Sequence, residues 1–172
     1  MRNKSSLVVR TAVYTGLFIA LTTVLTAFLH IPVGNGYIHL GDSMIYLSSV
    51  LLPFPCGIIV GGLGGALSDI ISGYAVYAIP TLIIKSLNAG CFYLLYVNRE
   101  KPVSVRSVVA LILSSIVTVI GYYFVAVYLY GGFKAQLISI PGNVLQATGS
   151  AVLYIIVATA IRNTGITAKL KK

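Results

Sequence analysis

The chain has 172 residues, of which 58% are hydrophobic and only 9% charged, and its mean hydropathy is +0.96. An ordinary soluble domain carries roughly a quarter of its residues as charges, so this composition excludes one and describes an integral membrane protein. The net charge of +9 sets 12 Lys and Arg against Asp42, Asp69 and Glu100; nucleic acid is not the implied partner, because the bases gather between apolar runs, as loops facing anionic lipid do.

In chain order, apolar blocks predict six helices, over 11–29, 42–52, 57–78, 81–97, 105–130 and 135–161. The first follows Arg2, Lys4 and Arg10 in the manner of a signal peptide, yet it is nearly membrane-length and no A-x-A site follows, so it reads as a retained helix. The second is too short to cross at about 1.5 Å per residue and is expected to be tilted, re-entrant or buried among neighbours, joined to the third through Pro53, Phe54 and Pro55. The expected fold class is all-α, a polytopic bundle forming a single transmembrane domain over 1–172; four spans with a helical hairpin are the alternative. Six spans of about 20 residues leave no room for an extramembrane domain, so an energy source would be another polypeptide.

Arg2, Lys4 and Arg10 precede or open the first helix, Arg99, Lys101 and Arg106 lie between the fourth and fifth, and Arg162, Lys169, Lys171 and Lys172 follow the sixth. The positive-inside rule therefore places both termini in the cytoplasm of a multi-pass cell-membrane protein, with the uncharged, Gly-rich segment 31–41 outside.

Polar side chains inside the spans are then placed by depth, since each is costly in lipid and faces a cavity or a partner. Asp69 falls about 18 Å up the third helix. Lys85 and Asn88 lie one turn apart in the outer half of the fourth, Tyr122 and Tyr123 at about 25 Å on the fifth, and Asn143 and Gln146 on one face of the sixth. With Asp42 and His39 just above, these groups converge on one level and suit a small polar ligand taken from outside, a flat heteroaromatic ring in particular. A structural reading stands beside this, in which the amides serve only as bonds between helices and Asp69 with Lys85 forms an ion pair.

Ala12, Gly16 and Ala20 repeat every four residues and admit a close helix, either a partner chain's or this chain's second or sixth helix. Gly61, Gly62, Gly64 and Gly65 read as internal packing. They lack the Lys and Ser/Thr of a phosphate loop, so no ATPase of the chain's own is expected. Cys56, Cys91, His30 and His39 have no zinc-ligand spacing, and neither metal nor cofactor is expected.

The first helix with its Ala12, Gly16 and Ala20, GYIHLGD at 36–42, GGLGGALSDIISGYAVY at 61–77 and TLIIKSLNAG at 81–90 together resemble, over the whole chain, the substrate-binding S component of an energy-coupling factor (ECF) vitamin transporter. The finer resemblance is to members assigned to hydroxymethylpyrimidine or pyridoxine. It implies a six-helix, non-enzymatic subunit that binds a vitamin near the extracellular face and docks on a T-component membrane protein carrying two cytoplasmic ABC ATPases, whose ATP turnover topples it inward. Ala12, Gly16 and Ala20 would then be the docking stripe, with Gly16 departing from the all-Ala form, and the segment 31–41 a lid. Family position and depth together nominate Asn35, Tyr37, His39, Asp69, Lys85, Asn88, Tyr122, Tyr123, Asn143 and Gln146 as ligand-binding. Two other readings are weighed: an intramembrane aspartyl protease using Asp42 and Asp69, although His39-Leu40-Gly41-Asp42 lacks the first Gly of G-x-G-D, and a solitary ion-coupled transporter, although inverted repeats are not found.

Overall fold

The computed structural model describes residues 4–33, 36–96 and 101–163. Helix α1 (Lys4–Ala27) leads through a hairpin of β1 (His30–Val33) and β2 (Gly36–His39) into α2 (Asp42–Leu51) and α3 (Cys56–Ile71). A 3-10 turn (Ala75–Tyr77) enters α4 (Ala78–Leu95), followed by α5 (Val105–Tyr130), the short α6 (Phe133–Gln136) and α7 (Ser139–Asn163). The expected all-α membrane bundle is therefore present, built from α1 to α5 and α7.

Segments Ser5–Ala27, Ala75–Leu95, Val105–Tyr130 and Phe133–Asn163 are long and apolar enough to cross a membrane, and their outward faces carry large side chains such as Leu17, Ile79, Ile120 and Ile156. The short α2 sits in the middle, packed on α1, α3, α4 and α7. Eight of its ten residues are buried, and its serine hydroxyls close back onto its own backbone, Ser48 and Ser49 both donating to Ile45 O at 2.8 and 2.9 Å. Surrounded by protein on all sides, it need not match the bilayer thickness.

Glycines in α3 set how closely its neighbours approach. A Cβ on Gly64 would lie 2.8 Å from Thr22 Cβ of α1, and one on Gly61 would lie 2.8 Å from the backbone oxygen of Lys85 in α4. Any larger residue would push the three helices apart, so these glycines are internal, as the sequence suggested.

The first helix opens at Lys4 rather than residue 11 and the fourth runs Ala78–Leu95 rather than 81–97, and three further departures bear on the site. The third helix, expected to run to residue 78, stops at Ile71: Gly73 takes a φ of +83°, which favours glycine, and Tyr74 N–H returns to Asp69 O at 2.8 Å. Gly131 and Gly132, with φ of +72° and +75°, separate α5 from the short α6, and the last helix, expected from residue 135, begins at Ser139 after a further turn at Leu137 and Ile138. The segment expected as a plain loop pairs as an antiparallel hairpin, with His30 opposite His39 and Pro32 opposite Tyr37.

Away from the hairpin the bundle is closed by aromatic packing. Tyr46, Phe92 and Tyr154 are fully buried, with ring centroids 4.9 to 5.9 Å apart, and Tyr154 OH donates to Pro102 O at 2.6 Å. Leu47, Val50, Ala110, Leu111 and Ala158 fill the space around them.

Candidate ligand-binding site

A cavity of about 260 Å³ opens at the hairpin end. Each surrounding element contributes to it: Thr22 and Thr26 from α1, Tyr37 and His39 from β2, Asp42 from α2, Asp69 from α3, Lys85 from α4, Tyr122 from α5, and Asn143 and Gln146 from α7.

Lys85 crosses from α4 over Gly65, where an added Cβ would meet its Cγ at 3.1 Å. Its Nζ stands 2.7 Å from Asp42 Oδ1 and 2.8 Å from Oδ2, with both residues 1% exposed, and lies 5.2 Å from the centre of the Tyr122 ring. That places an ammonium over an aromatic face as well as against a carboxylate. The ion pair considered from sequence, Lys85 with Asp69, is thus corrected: the partner is Asp42, because the central α2 brings its first residue against α4. Asp69 instead accepts a hydrogen bond from Tyr37 OH at 2.5 Å through Oδ1, and its Oδ2 is buried without a hydrogen-bond partner.

The hairpin is fastened by rings and by His39. Tyr37 packs on His30 and Tyr74 with centroid distances of 4.6 and 4.9 Å. His39 Nδ1 accepts from Gly41 N–H at 3.1 Å and contacts Thr26 Oγ1 at 3.3 Å. A backbone N–H can only donate, so Nδ1 is the unprotonated nitrogen, the ring proton is on Nε2, and the imidazole is neutral. Burial lowers the His39 pKa to about 3; the nearby Lys85 and His30 push the same way, and Asp42 opposes. Burial, and then the Asp69 charge, raises the Tyr37 phenol far above its usual value, keeping it a donor.

Of the residues nominated from sequence, Tyr37, His39, Asp69, Lys85, Tyr122, Asn143 and Gln146 line the cavity. Asn35 lies outside the described residues. Asn88 is a correction: it does not line the cavity, and its Nδ2 lies within hydrogen-bonding distance of Tyr46 OH (3.1 Å), Ser114 O (2.9 Å) and Thr118 Oγ1 (2.7 Å). Three residues separate it from Lys85, and that turn carries it down into the aromatic packing. Tyr123 is a second correction; it points away from the cavity and donates to Phe133 O at 3.0 Å. Sequence reasoning missed Thr22, Thr26, Tyr74, Tyr77 and Thr81. Thr22 and Thr26, one turn apart, were a usable signal. Tyr74 and Tyr77 were hidden by the overlong third helix.

Ala12, Gly16 and Ala20 are exposed, and a Cβ on Gly16 would meet nothing within 4 Å. The stripe does not pack inside the chain. The protease arrangement does not form either, since Lys85 holds Asp42 and Tyr37 holds Asp69 instead of the two carboxyls sharing one proton.

A membrane bundle with a polar cavity at the hairpin end, sealed beneath by a packed aromatic cluster, has the architecture of a membrane-embedded binding subunit. Residues 6–163 match the family of ECF-type riboflavin transporter S components, and the chain belongs to that family. It is thus a vitamin-uptake specificity subunit of an ECF-type transporter, in a family whose members associate with a T component and ATPases. A protein from Pyrococcus woesei, described as an uncharacterized protein in the gap 3' region, is 37% identical over 116 residues, which cover 66% of this chain and 74% of the relative.

Proposed function

We propose that the chain captures a single-ring heteroaromatic vitamin or precursor, of the hydroxymethylpyrimidine or pyridoxine type, in the hairpin-end cavity on the extracellular side and releases it inward when docked on a T protein and two ATPases. The observation that carries this reading is the cavity itself, with Tyr122 and Tyr37 offering ring faces and Asp69 and Gln146 offering polar contacts. Its volume of about 260 Å³ falls below the roughly 300–1,000 Å³ of sites for drug-sized ligands. One substituted ring fits that space better than the fused three-ring system and ribityl chain of riboflavin. The charge distribution supports the orientation, since Arg10, Arg106 and Arg162 belong to the end opposite the hairpin.

Calorimetric titration of the purified protein with hydroxymethylpyrimidine, pyridoxine and riboflavin tests the substrate class. Saturable binding of a single-ring ligand without riboflavin is expected, and tight binding of riboflavin alone overturns the reading. Docking through Ala12, Gly16 and Ala20 is tested separately with Gly16→Leu. The exposed Leu should leave ligand affinity unchanged and reduce uptake in liposomes containing the T protein and ATPases, because bulk on a small-residue stripe holds helices apart. Normal uptake would remove this face of α1 as the docking surface.

A further inference from the structure

The charges around the cavity do not balance. Among the described residues lining it, the charged side chains are Asp42, Asp69 and Lys85. Lys85 is already held against both oxygens of Asp42, at 2.7 and 2.8 Å. His39 offers an unprotonated Nδ1 to the Gly41 N–H and adds no charge. Asp69 faces the cavity with the Tyr37 phenol on Oδ1 at 2.5 Å and the Thr81 hydroxyl nearby, while Oδ2, in a residue 5% exposed, has no hydrogen-bond partner. On α7, Gln146 is 2% exposed and stands beside Asp42, and its Nε2 makes no well-formed hydrogen bond. A buried acceptor and a buried donor left open on one cavity are costly until something closes them.

Resting on the vitamin-binding reading above, we propose that this site selects a neutral or cationic ring presenting a nitrogen donor to Asp69 Oδ2 and an acceptor to Gln146 Nε2, and that it rejects phosphorylated and carboxylated forms of the same vitamin. An amino group beside a ring nitrogen, as in an aminopyrimidine, carries both functions. A protonated aminomethyl group on a pyridine supplies the donor with a compensating charge. Lys85, the cation an anionic ligand would need, is neutralised by Asp42. A phosphate entering would meet two acidic side chains and, among the described residues lining the cavity, no base other than Lys85, which Asp42 already holds. Asp69 is thus the residue that reads the amine, and Tyr37 positions it by fixing one oxygen and leaving the other open.

The test titrates the wild-type protein with ligand pairs differing only in these groups: hydroxymethylpyrimidine against the same molecule lacking its amino group, pyridoxamine against pyridoxine, and the parent amines against their phosphates. In whichever pair binds, the amine should bind at least about 10-fold tighter than its amine-free partner, as expected for a hydrogen bond to a charged group. The phosphates should bind at least about 10-fold more weakly than their parents. Equal affinity within a pair, or a phosphate binding as tightly as its parent, overturns the inference while leaving the vitamin-binding reading intact. No binding of any of these ligands overturns both. Asp69→Asn, with folding checked by thermal unfolding, should reduce the amine preference to under about 3-fold, the amine losing more affinity than its amine-free partner. An equal loss for both members of a pair would show that Asp69 shapes the site without reading the amine.

Discussion

Two levels of this bundle solve opposite problems with similar helices. At the hairpin end, α1, α2, α3, α4, α5 and α7 bring hydroxyls, amides, two carboxylates and an ammonium around open space. Deeper in the bundle, α2, α4, α5 and α7 bring Tyr46, Phe92, Leu111 and Tyr154 into one packed cluster, and a second hollow, at Tyr93, Tyr96, Lys101 and Arg106, lies beyond that cluster at the far end. Asn88 marks the change between them: Lys85, one turn earlier, faces the cavity, whereas Asn88 bonds across to α5 and Tyr46. Polarity inside a membrane protein is therefore not by itself a sign of ligand contact. A polar group becomes available to a ligand where helices are held apart, and becomes mortar where they touch.

The largest effect that tests this contrast is on the ion pair. Lys85→Met leaves Asp42 as an uncompensated buried charge and should destabilise the protein by about 3–5 kcal/mol, seen as a lower melting temperature in detergent. Combining it with Asp42→Asn should recover much of that loss. If the double variant melts no higher than the single one, the two side chains are not coupled as their 2.7 Å separation requires.

Asn88→Ala comes next. It should cost about 1–3 kcal/mol of stability by stranding its partners on α5 and Tyr46, yet change ligand affinity by less than about 2-fold. A variant that melts normally but loses affinity would move the ligand deeper than the cavity described here.

A smaller effect concerns the hairpin. His39 has a folded-state pKa of about 3 against about 6.5 when unfolded. Between those values the unfolded chain binds more protons, so stability is full above pH 6.5 and falls as the pH drops through this window. At pH 5.5 the loss should be about 1.4 kcal/mol. His39→Asn, which keeps an acceptor for the Gly41 N–H without a proton to gain, should show a shallower decline in thermal unfolding between pH 7 and 4.5. An equally steep decline would assign the pH dependence to other groups.

Much of this organisation was legible in the sequence because it depends on burial that hydropathy records. The long spans, the short enclosed α2 and the convergence of polar groups on one level all follow from which residues lipid tolerates. The partners within the site were not legible. Lys85 meets Asp42 across 43 residues of chain, and nothing local favours it over Asp69. Asn88 and Gln146 are both amides three residues from another nominated polar residue, but only the tertiary packing decides which one bonds to α5 and Tyr46 and which one lines the cavity. The hairpin was a missed opportunity: His30–Val33 and Gly36–His39 are strand-prone runs joined in sequence by Gly34 and Asn35, a pairing signal that the expectation of a loop passed over.

The absence of Trp from the chain allows the central contrast to be read optically. Tyr74 lines the cavity, 4.9 Å from the Tyr37 ring, whereas Tyr93 packs on Phe54 at the far end, also at 4.9 Å. Titrating hydroxymethylpyrimidine into Tyr74→Trp should change the fluorescence saturably, and the same titration of Tyr93→Trp should leave it flat. A saturable change at Trp in position 93 with none at position 74 would place the ligand at the aromatic end and contradict the account.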